Sequence, residues 1–403
     1  MMSTATEPYL AHALNARVGE FIRLRRDIHA HPELGFEEHR TAALVADKLK
    51  QWGYEVQTGL GVTGVLGTLR KGSGTRRLGL RADMDALPMQ EAPGKDWGST
   101  YAGRMHACGH DGHTAMLLAA AQAIAESVEF DGTLHLIFQP AEEGAGGAVR
   151  MMQDGLFERF PCDAVFAMHN LPGVAAGQLV FREGAAMASS DYATITLQGR
   201  GGHGAMPHLA QDPLVAAASV VMALQTIVSR NVDPQQMAVV TVGAMHAGQA
   251  NNVIADQAVL ELSVRALDPQ VRTLLAQRIR ELVQAQAQSF GVEATIDWRE
   301  GYCVLVNTPH ETELARRVGA QLLGESRITR QGPALTASED FAFMLQQVPG
   351  SYVFIGNGEH NGPGGCSVHN PQYDFNDDIL AIGAAYWQTL VKEFFSSEDH
   401  SPR

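Results

Sequence analysis

The feature that most constrains this chain is the run from His106 to His113, which reads His-Ala-Cys-Gly-His-Asp-Gly-His. It places three imidazoles, one thiol and one carboxylate within eight residues, and its two glycines let the backbone bend around them. The thiol of Cys108 and the imidazole of His110 suit zinc or a late first-row metal better than magnesium or calcium. A chance grouping in a chain with 16 histidines is the alternative. Two ligands do not complete a metal site, so the fold must bring others from distant parts of the chain.

Composition limits the classes of partner. The 403-residue length predicts more than one domain. Thirty basic residues against 44 acidic ones give a formal charge of −14, which argues against nucleic acid or an anionic membrane as a partner. Four scattered cysteines indicate a reducing compartment. Residues 1–15 lack a basic segment followed by an apolar run, and no segment approaches eighteen apolar residues, so we expect a cytoplasmic protein.

Three predicted strands each run directly into side chains that bind metals. In chain order they are Arg77–Arg81 before Asp83 and Asp85, Gly132–Gln139 before Glu142 and Glu143, and Asp163–Met168 before His169. Open α/β sheets place their chemistry at the carboxyl ends of parallel strands, which predicts that these groups meet at one edge. Each group alone has a plainer interpretation, as a turn cap, a solvated helix face or a structural histidine.

The pattern changes between residues 188 and 299. The order there is strand, helix, strand, strand, helix, strand, and Asp-Pro opens both helices, at Asp212 and Asp268. This order predicts a compact α+β domain inserted into a larger α/β domain formed by residues 1–187 and 300–403. Four strands with helices on one face leave the other face or an edge strand uncovered, which favours self-association.

The first pattern resumes beyond residue 300. Thr308-Pro309 opens an amphipathic helix, and Ser351–Gly356 has the composition of a buried strand. A glycine-rich loop then ends near His369, the last candidate ligand.

The candidate ligands number more than one metal ion needs: Asp83, Asp85, Cys108, His110, Glu142, Glu143, His169 and His369. Two divalent ions about 3.5–4 Å apart would use them well, with a bridging thiolate and a bridging water. Such a pair lowers the pKa of the water and polarises a bound carbonyl, as amide hydrolysis requires. One of the paired glutamates would be a ligand and its neighbour the base that takes the proton of the water.

Five segments of the chain resemble the M20 metallopeptidase family: Arg81–Pro88, His106–His113, Gln139–Gly144, Met168–Asn170 and Ser367–Asp378. Within that family they are similar to the branch of hippurate hydrolases, N-acyl-amino-acid amidohydrolases and plant auxin-conjugate hydrolases. The resemblance extends from roughly Phe21 to the last helix, in the same order. It implies a doubly wound, mostly parallel-sheet catalytic domain, interrupted by a lid and dimerisation domain, with a site for two metal ions.

The resemblance also implies a role for individual residues. Cys108 would bridge two divalent ions, which could be zinc, manganese, cobalt or nickel. The remaining ligands would be His110, Glu143, His169 and His369. Glu142 would be the general base that later protonates the leaving amine, and Asp85 would orient a ligand.

Matching segments occur in the lid. Residues 199–208 resemble the family's histidine loop, in which His203 reaches a substrate carbonyl, in the partner subunit's site. Asn252 and Arg265 lie in segments similar to those that bind the carboxylate of the amino-acid product. The family's usual proline after Asn-Val-Ile is Ala255 here, and the planar guanidinium of Arg265 is the better partner for that carboxylate.

We therefore predict a metal-dependent amidohydrolase that cleaves N-acyl or N-aroyl amino acids to a carboxylic acid and a free amino acid. Attack by a metal-bridged hydroxide, with Glu142 moving the proton, is the expected mechanism, and a homodimer or higher homo-oligomer is the expected assembly. The alternatives are a dipeptidase or another N-deacylase of the family. Two further alternatives are an amidase with Cys108 as nucleophile and His110 as base, and a catalytically silent binding protein.

Overall fold

A computed structural model describes residues 10–396, with side chains from residue 17 onward, so the first nine residues of the segment used to predict localisation lie outside it. The helices are α1 (Leu10–Ala30), α2 (His39–Gln51), α3 (His110–Ser127), α4 (Gly147–Gln153), α5 (Leu156–Arg159), α6 (Pro213–Arg230), α7 (Pro269–Ser289), α8 (Pro309–Leu323), α9 (Phe341–Leu345) and α10 (Leu380–Ser396). The strands are β1 (Glu55–Leu60), β2 (Gly64–Lys71), β3 (Arg77–Asp83), β4 (Gly132–Gln139), β5 (Ala164–Pro172), β6 (Leu179–Val180), β7 (Gly184–Met187), β8 (Ser189–Gln198), β9 (Gly202–His203), β10 (Ala238–Ala247), β11 (Val253–Ile254), β12 (Gln257–Ala266), β13 (Glu293–Glu300), β14 (Leu305–Asn307), β15 (Ile328–Thr329) and β16 (Gly350–Gly358).

The described residues form two compact units. The first, which we call the catalytic unit, contains residues 10–184, 306–333 and 343–396. The second, which we call the lid unit, contains residues 185–305 and 334–342.

The catalytic unit contains an eight-stranded sheet in the order β1-β2-β4-β3-β5-β16-β6-β15. Its four central strands, β4, β3, β5 and β16, are parallel. Every residue of β4 is buried, as expected for a strand covered on both faces. Leu134, Leu136 and Phe138 alternate into a core that includes residues of α1, α3, α8 and α10. This arrangement confirms the predicted α/β class with a largely parallel sheet.

Helix α3 lies against β3 and α10 at the centre of this core. A Cβ atom at Gly383 of α10 would lie 2.0 Å from the sulfur of Met116, so the two helices approach closely where α10 has no side chain. Leu117 and Leu118 of α3 are fully buried, and each contributes about 1.5–3 kcal/mol through the removal of apolar surface from water. The helix that begins at His110 is therefore firmly fixed to the sheet.

The lid unit is an antiparallel sheet in the order β10-β12-β8-β13, with α6 and α7 packed on it. Its strands and helices follow the predicted order. Asp212 Oδ1 accepts the backbone N–H of Leu214 at 2.9 Å, and Asp268 Oδ1 accepts that of Gln270 at 2.7 Å. Both Asp-Pro pairs therefore start helices as predicted, with the carboxylate as cap.

Helix α6 is unusually apolar on both sides. Ala216, Val220, Leu224 and Ile227 pack into the lid core at helical spacing. Among the described residues, α6 is the one helix whose length and composition would suit a membrane span, and 33% of it is buried. No such segment was predicted from the sequence, because Ser219, Gln225, Thr226 and Ser229 interrupt the apolar residues.

The catalytic unit differs from the sequence prediction in several elements, two of which are strands β1 and β5. Strand β1 was not predicted, because its exposed, mixed composition lacks a buried apolar face. Strand β5 continues to Pro172, so His169 lies within the strand instead of after it.

Candidate metal centre

The carboxyl ends of the parallel strands meet at one edge of the catalytic unit. Asp83 pairs in register with Gln139, and Arg81 pairs with Ala167. Residues that follow β3 and β4 therefore emerge beside His169 near the end of β5. This is the edge at which open α/β sheets place their chemistry.

The five predicted metal ligands converge there in two groups. The thiol of Cys108 groups with His110 and His169, and it groups again with Glu143 and His369. Within each group, the potential ligand atoms lie within 4.8 Å of one another. Cys108 Sγ is 3.4 Å from His169 Nε2, and His369 Nε2 is 3.1 Å from Glu143 Oε1. Two overlapping groups with one common thiol could hold two ions, with Cys108 belonging to both groups.

The imidazoles are oriented as metal ligands usually are. Nδ1 of His110 hydrogen-bonds Asp85 Oδ1 at 3.1 Å, and Nδ1 of His169 donates to the carbonyl of Asn170 at 2.7 Å. Each hydrogen bond leaves Nε2 as the ligand atom. Nε2 of His110 is buried and makes no hydrogen bond to any described residue. A bound cation would satisfy this nitrogen, so the residues present fit the implied metal ions.

The charges of the chain favour a cation at the same place. Burial lowers the pKa of His110, but the charge of Asp83 and the neighbouring Cys108 outweigh it and raise that pKa well above its usual value. Burial and the charge of Glu143 raise the pKa of the Cys108 thiol. A divalent ion would lower the pKa of the Cys108 thiol, because it stabilises the thiolate directly.

Two site residues have left-handed backbone conformations without being glycine. Ala141, at φ 53°, precedes Glu142 and Glu143, and His369 has φ 61°. Each conformation costs on the order of 1–3 kcal/mol. The N–H of Ala141 donates to Glu38 Oε1 at 2.8 Å, and the N–H of His369 donates to the carbonyl of Ala107 at 2.8 Å. These hydrogen bonds hold the loops of Ala141 and His369 in place. The Glu38 carboxyl group is itself buried, which raises its pKa to about 7.

Glu142 is buried beside these ligands, with 6% of its surface exposed. Its carboxylate forms a further group with His110 and Glu143. Asp85 links Glu143 to His110, because its Oδ1 contacts the imidazole and its Oδ2 accepts the N–H of Glu143 at 2.9 Å. The three acidic residues predicted for the site thus lie together.

Two residues that were not predicted from the sequence, Asn170 and Tyr373, support the cysteine loop. Asn170 Nδ2 donates to the carbonyl of Cys108 at 2.6 Å, and the hydroxyl of Tyr373 donates to Asn170 Oδ1 at 2.9 Å. Gly109 between them has φ 92°, and a Cβ there would lie 2.4 Å from the Tyr373 oxygen. In the sequence, the one indication of this supporting role was that Asn170 directly follows the predicted ligand His169.

His113 is held by protein groups on both ring nitrogens. Its Nδ1 bonds Asp83 Oδ1 at 2.6 Å, and its Nε2 accepts the N–H of Asn170 at 3.0 Å. Burial raises the pKa of Asp83, but the charges of His110 and His113 dominate and lower it well below its usual value. The hydrogen bonds of His113 to Asp83 and Asn170 therefore connect β3 and β5 to α3. Neither ring nitrogen of His113 remains for a metal ion.

The lid residues fall into two places. His203 on β9 is exposed and pairs with Val253 of β11, and the N–H of Gly204 donates to the carbonyl of Asn252 at 2.7 Å. His203 and Asn252 are therefore neighbours at the Gln257 end of β12.

Arg265 lies at the opposite end of that strand. It donates to Ser338 Oγ at 3.0 Å and lies over the ring of Tyr192. Eight residues of extended chain separate Gln257 from Arg265, about 26 Å. The structure brings His203 and Asn252 together and does not bring Arg265 to them.

Comparison with known proteins identifies the family. Residues 79–393 match peptidase family M20/M25/M40. The chain is 46% identical to the hippurate hydrolase of Campylobacter jejuni, covering 93% of this chain and 97% of that protein. It is 36% identical to the N-acetyl-L-cysteine deacetylase of Bacillus subtilis, covering 95% and 90%.

A solved structure agrees with the two-ion arrangement. The YXEP protein of Bacillus subtilis, a dinuclear metal-binding peptidase of family M20, superposes with a TM-score of 0.82 at 30% identity, covering 94% of this chain and 99% of that one. The overlapping ligand groups around Cys108 are in accord with that description. The chain therefore belongs to peptidase family M20/M25/M40 and is a metal-dependent hydrolase that uses two divalent metal ions.

Proposed function

We propose that this enzyme hydrolyses the amide bond of N-acyl and N-aroyl amino acids of the hippurate type. The observation that carries the proposal is the buried carboxylate of Glu142 beside two ligand groups that share one thiol. The 46% identity to a hippurate hydrolase, over nearly the whole of both chains, supports the substrate class.

Cys108, His110, Glu143, His169 and His369 would hold the two metal ions, with Cys108 common to both ligand groups. When bound, the ions lower the pKa of a water molecule and polarise the amide carbonyl. Asp85 holds the ring of His110 through Nδ1 and the Glu143 loop through its backbone N–H. It is therefore a positioning residue.

Glu142 is the proposed base and acid. Its carboxylate takes a proton from the attacking water and later delivers it to the nitrogen of the departing amino acid. Adjacent Glu143 serves as a ligand because the left-handed turn at Ala141 and the hydrogen bond to Asp85 set the direction of its backbone. The two neighbouring carboxylates thereby have different tasks.

The lid residues require two copies of the chain. The 26 Å between the ends of β12, about eight strand residues, exceeds the length of an N-acyl amino acid. His203 at the carbonyl and Arg265 at the carboxylate of one substrate molecule would then come from different chains. Asn252, as a neighbour of His203, would come from the same chain as that histidine.

A homodimer through the lid unit satisfies this requirement. The outer side of α6 exposes Leu214, Val215 and Met222, the last at 71% of its surface. Strand β10 is an edge of the lid sheet with unpaired backbone groups. An apolar helix face beside an open edge strand fits a second copy of the same surface.

Hydrolysis of a substrate panel tests the proposal. Metal-free enzyme is reloaded separately with zinc, manganese, cobalt or nickel, and assayed with hippurate, acetyl and indoleacetyl amino acids and with a free dipeptide. We expect at least one metal to restore cleavage of N-acyl amino acids and EDTA to abolish it.

Two outcomes would replace the proposal. Cleavage of the dipeptide alone would make the enzyme a dipeptidase. Activity that persists in EDTA would favour Cys108 as a nucleophile, although its raised pKa keeps the thiol protonated and thus poorly nucleophilic without a cation.

A further inference from the structure

The sheet of the catalytic unit carries a cavity of about 530 Å³ that the proposed reaction does not use. Strands β1 to β4 and the segment from Arg159 to Pro161 line it. Because Leu134 and Leu136 alternate into the helical core, Thr133 and His135 project from the other face of β4. The cavity therefore lies on the sheet face opposite α3.

One row of residues paired across three neighbouring strands of this cavity places a hydroxyl between two arginines. Thr133 on β4 pairs with Arg70 on β2 and with Arg77 on β3. Neighbouring strands are about 4.8 Å apart, so both arginine stems flank the threonine. Thr133 is 4% exposed, and its Oγ1 has no hydrogen-bond partner among the described residues. A buried hydroxyl of this kind normally has a partner.

The next row supplies a neutral histidine. Nδ1 of His135 hydrogen-bonds the hydroxyl of Thr68 at 2.9 Å, which leaves Nε2 for a ligand. Burial, together with the charges of Arg77 and Arg70, lowers the pKa of His135 to about 4. The ring of Phe160 stands edge-on to the imidazole at 5.8 Å and forms an aromatic wall.

Positive charge at this cavity is only partly neutralised. Arg77 pairs with Asp163 at 2.6 Å, but Arg70 forms no ion pair with any described residue. Arg159 donates to the neutral amide of Gln57 at 3.1 Å. Glu55 is the acidic residue in the lining. Arginines without an ion-pair partner therefore give this cavity local positive charge in a chain whose formal charge is −14.

We propose that this cavity binds a small organic anion, held through a phosphate or carboxylate group by Arg70, Arg159 and the hydroxyl of Thr133. An aromatic portion of the ligand would lie against Phe160. The anion supplies the missing partner of Thr133 Oγ1 and forms charge-assisted hydrogen bonds with the guanidinium groups.

This ligand is a second molecule and not the substrate. Thr133 lies near the amino end of β4, and the metal ligands follow its carboxyl end at Gln139. Six residues of strand separate the two positions, about 20 Å. The inference therefore does not depend on the amide-hydrolase proposal.

Calorimetric titration of the metal-loaded enzyme with inorganic phosphate and, separately, with benzoate tests the inference. The metal centre can also bind these anions, so the variants identify the cavity. We expect R70A/R159A to lose one binding event and T133V to weaken it about tenfold, the effect of one charge-assisted hydrogen bond. R23A/R317A removes the same charge from exposed arginines elsewhere and should bind like wild type.

A second readout follows the imidazole of His135 by NMR. A bound anion beside Nε2 should raise its pKa in wild type and not in R70A/R159A, while kcat stays the same in both. Binding of phosphate alone would indicate a phosphorylated ligand, and binding of benzoate alone an aromatic carboxylate. If neither anion changes the His135 resonances, and the double variant gives the same heats as wild type, the cavity is not an anion site.

Discussion

Neighbouring residues of one type have different tasks at this site because their backbones differ. Glu142 and Glu143 follow a left-handed alanine, and Asp85 accepts the N–H of Glu143. His110 and His113 lie one helical turn apart, yet His110 keeps a free Nε2 while protein groups occupy both nitrogens of His113. Residue type alone therefore could not separate ligand from support.

Replacement of the proposed base should stop turnover without loss of metal. We expect E142Q to reduce kcat about 10²–10⁴-fold, because glutamine cannot accept the proton of the water. Metal content, measured by atomic emission on the same preparation, should match wild type. E143Q is the matched control and should lose metal. Turnover of E142Q within a few-fold of wild type would exclude Glu142 as the base.

Asp85 should matter through metal affinity. In D85N one side-chain oxygen can still accept from His110, but the amide nitrogen then faces the N–H of Glu143. We expect metal affinity about 10–100-fold weaker, measured by competition with a chromogenic chelator.

The control for D85N is D131N, which alters a turn at Ser73 away from the site. Equal affinity in D85N and wild type would show that the orientation of His110 does not depend on this carboxylate.

At the scale of elements, a buried ionic group joins α1 to α3. His29 of α1 bonds Asp111 of α3 through Nδ1 at 2.9 Å and Glu91 through Nε2 at 3.0 Å. Arg25 contacts the same aspartate at 3.4 Å. The sequence interpretation treated the region of His29 as a simple helix connection, because its partners are 62 and 82 residues away.

This group predicts how stability depends on pH. Burial lowers the pKa of His29, but the charge of Asp111 and the hydrogen bonds that the imidazole donates to Asp111 and Glu91 raise it overall from 6.5 to about 9. The folded chain thus binds this proton more tightly than the unfolded chain. The stabilisation, on the order of 3 kcal/mol, is complete below pH 6.5 and is lost as pH rises towards 9.

Thermal unfolding between pH 6.5 and 9, in excess metal, measures this effect. We expect the melting temperature of wild type to fall by several degrees over this range. H29Q should be less stable at pH 6.5 and should show a flatter curve. Parallel curves for the two proteins would show that His29 does not titrate in this window.

For the whole molecule, the separation of Arg265 from His203 along β12 predicts that two chains contribute to each substrate site. H203A should lose about 10²–10³-fold in activity, the cost of one oxyanion donor. R265A should also lose activity by itself, because it removes the proposed partner of the substrate carboxylate. In the proposed homodimer, a mixed dimer of the two variants would have one site that receives an intact His203 from one chain and an intact Arg265 from the other.

Random re-association of the two inactive variants should make about half of the dimers mixed, and each mixed dimer has one intact site out of two. The mixture should therefore recover about one quarter of wild-type activity. The measurement is the activity of the mixture after unfolding and refolding together, compared with each variant refolded alone. If the mixture is as inactive as its components, both residues act from one chain or no dimer forms.

The sequence alone determined the class of fold, the order of elements and the candidate ligands. These follow from local properties: apolar periodicity marks buried strands and helices, Asp-Pro caps helices, and thiols, imidazoles and carboxylates have fixed preferences for metals. Resemblance to a family added which glutamate would be the base.

Only the tertiary structure decided which side chains meet. Cys108 and His369 are 261 positions apart, and the register of parallel strands with the docking of the last loop brings them together. The support of Asn170 and Tyr373, the ionic group at His29, the cavity at Thr133 and the separation of Arg265 from His203 were likewise absent from the sequence interpretation. Each depends on contacts between distant segments, which local periodicity and residue type do not encode.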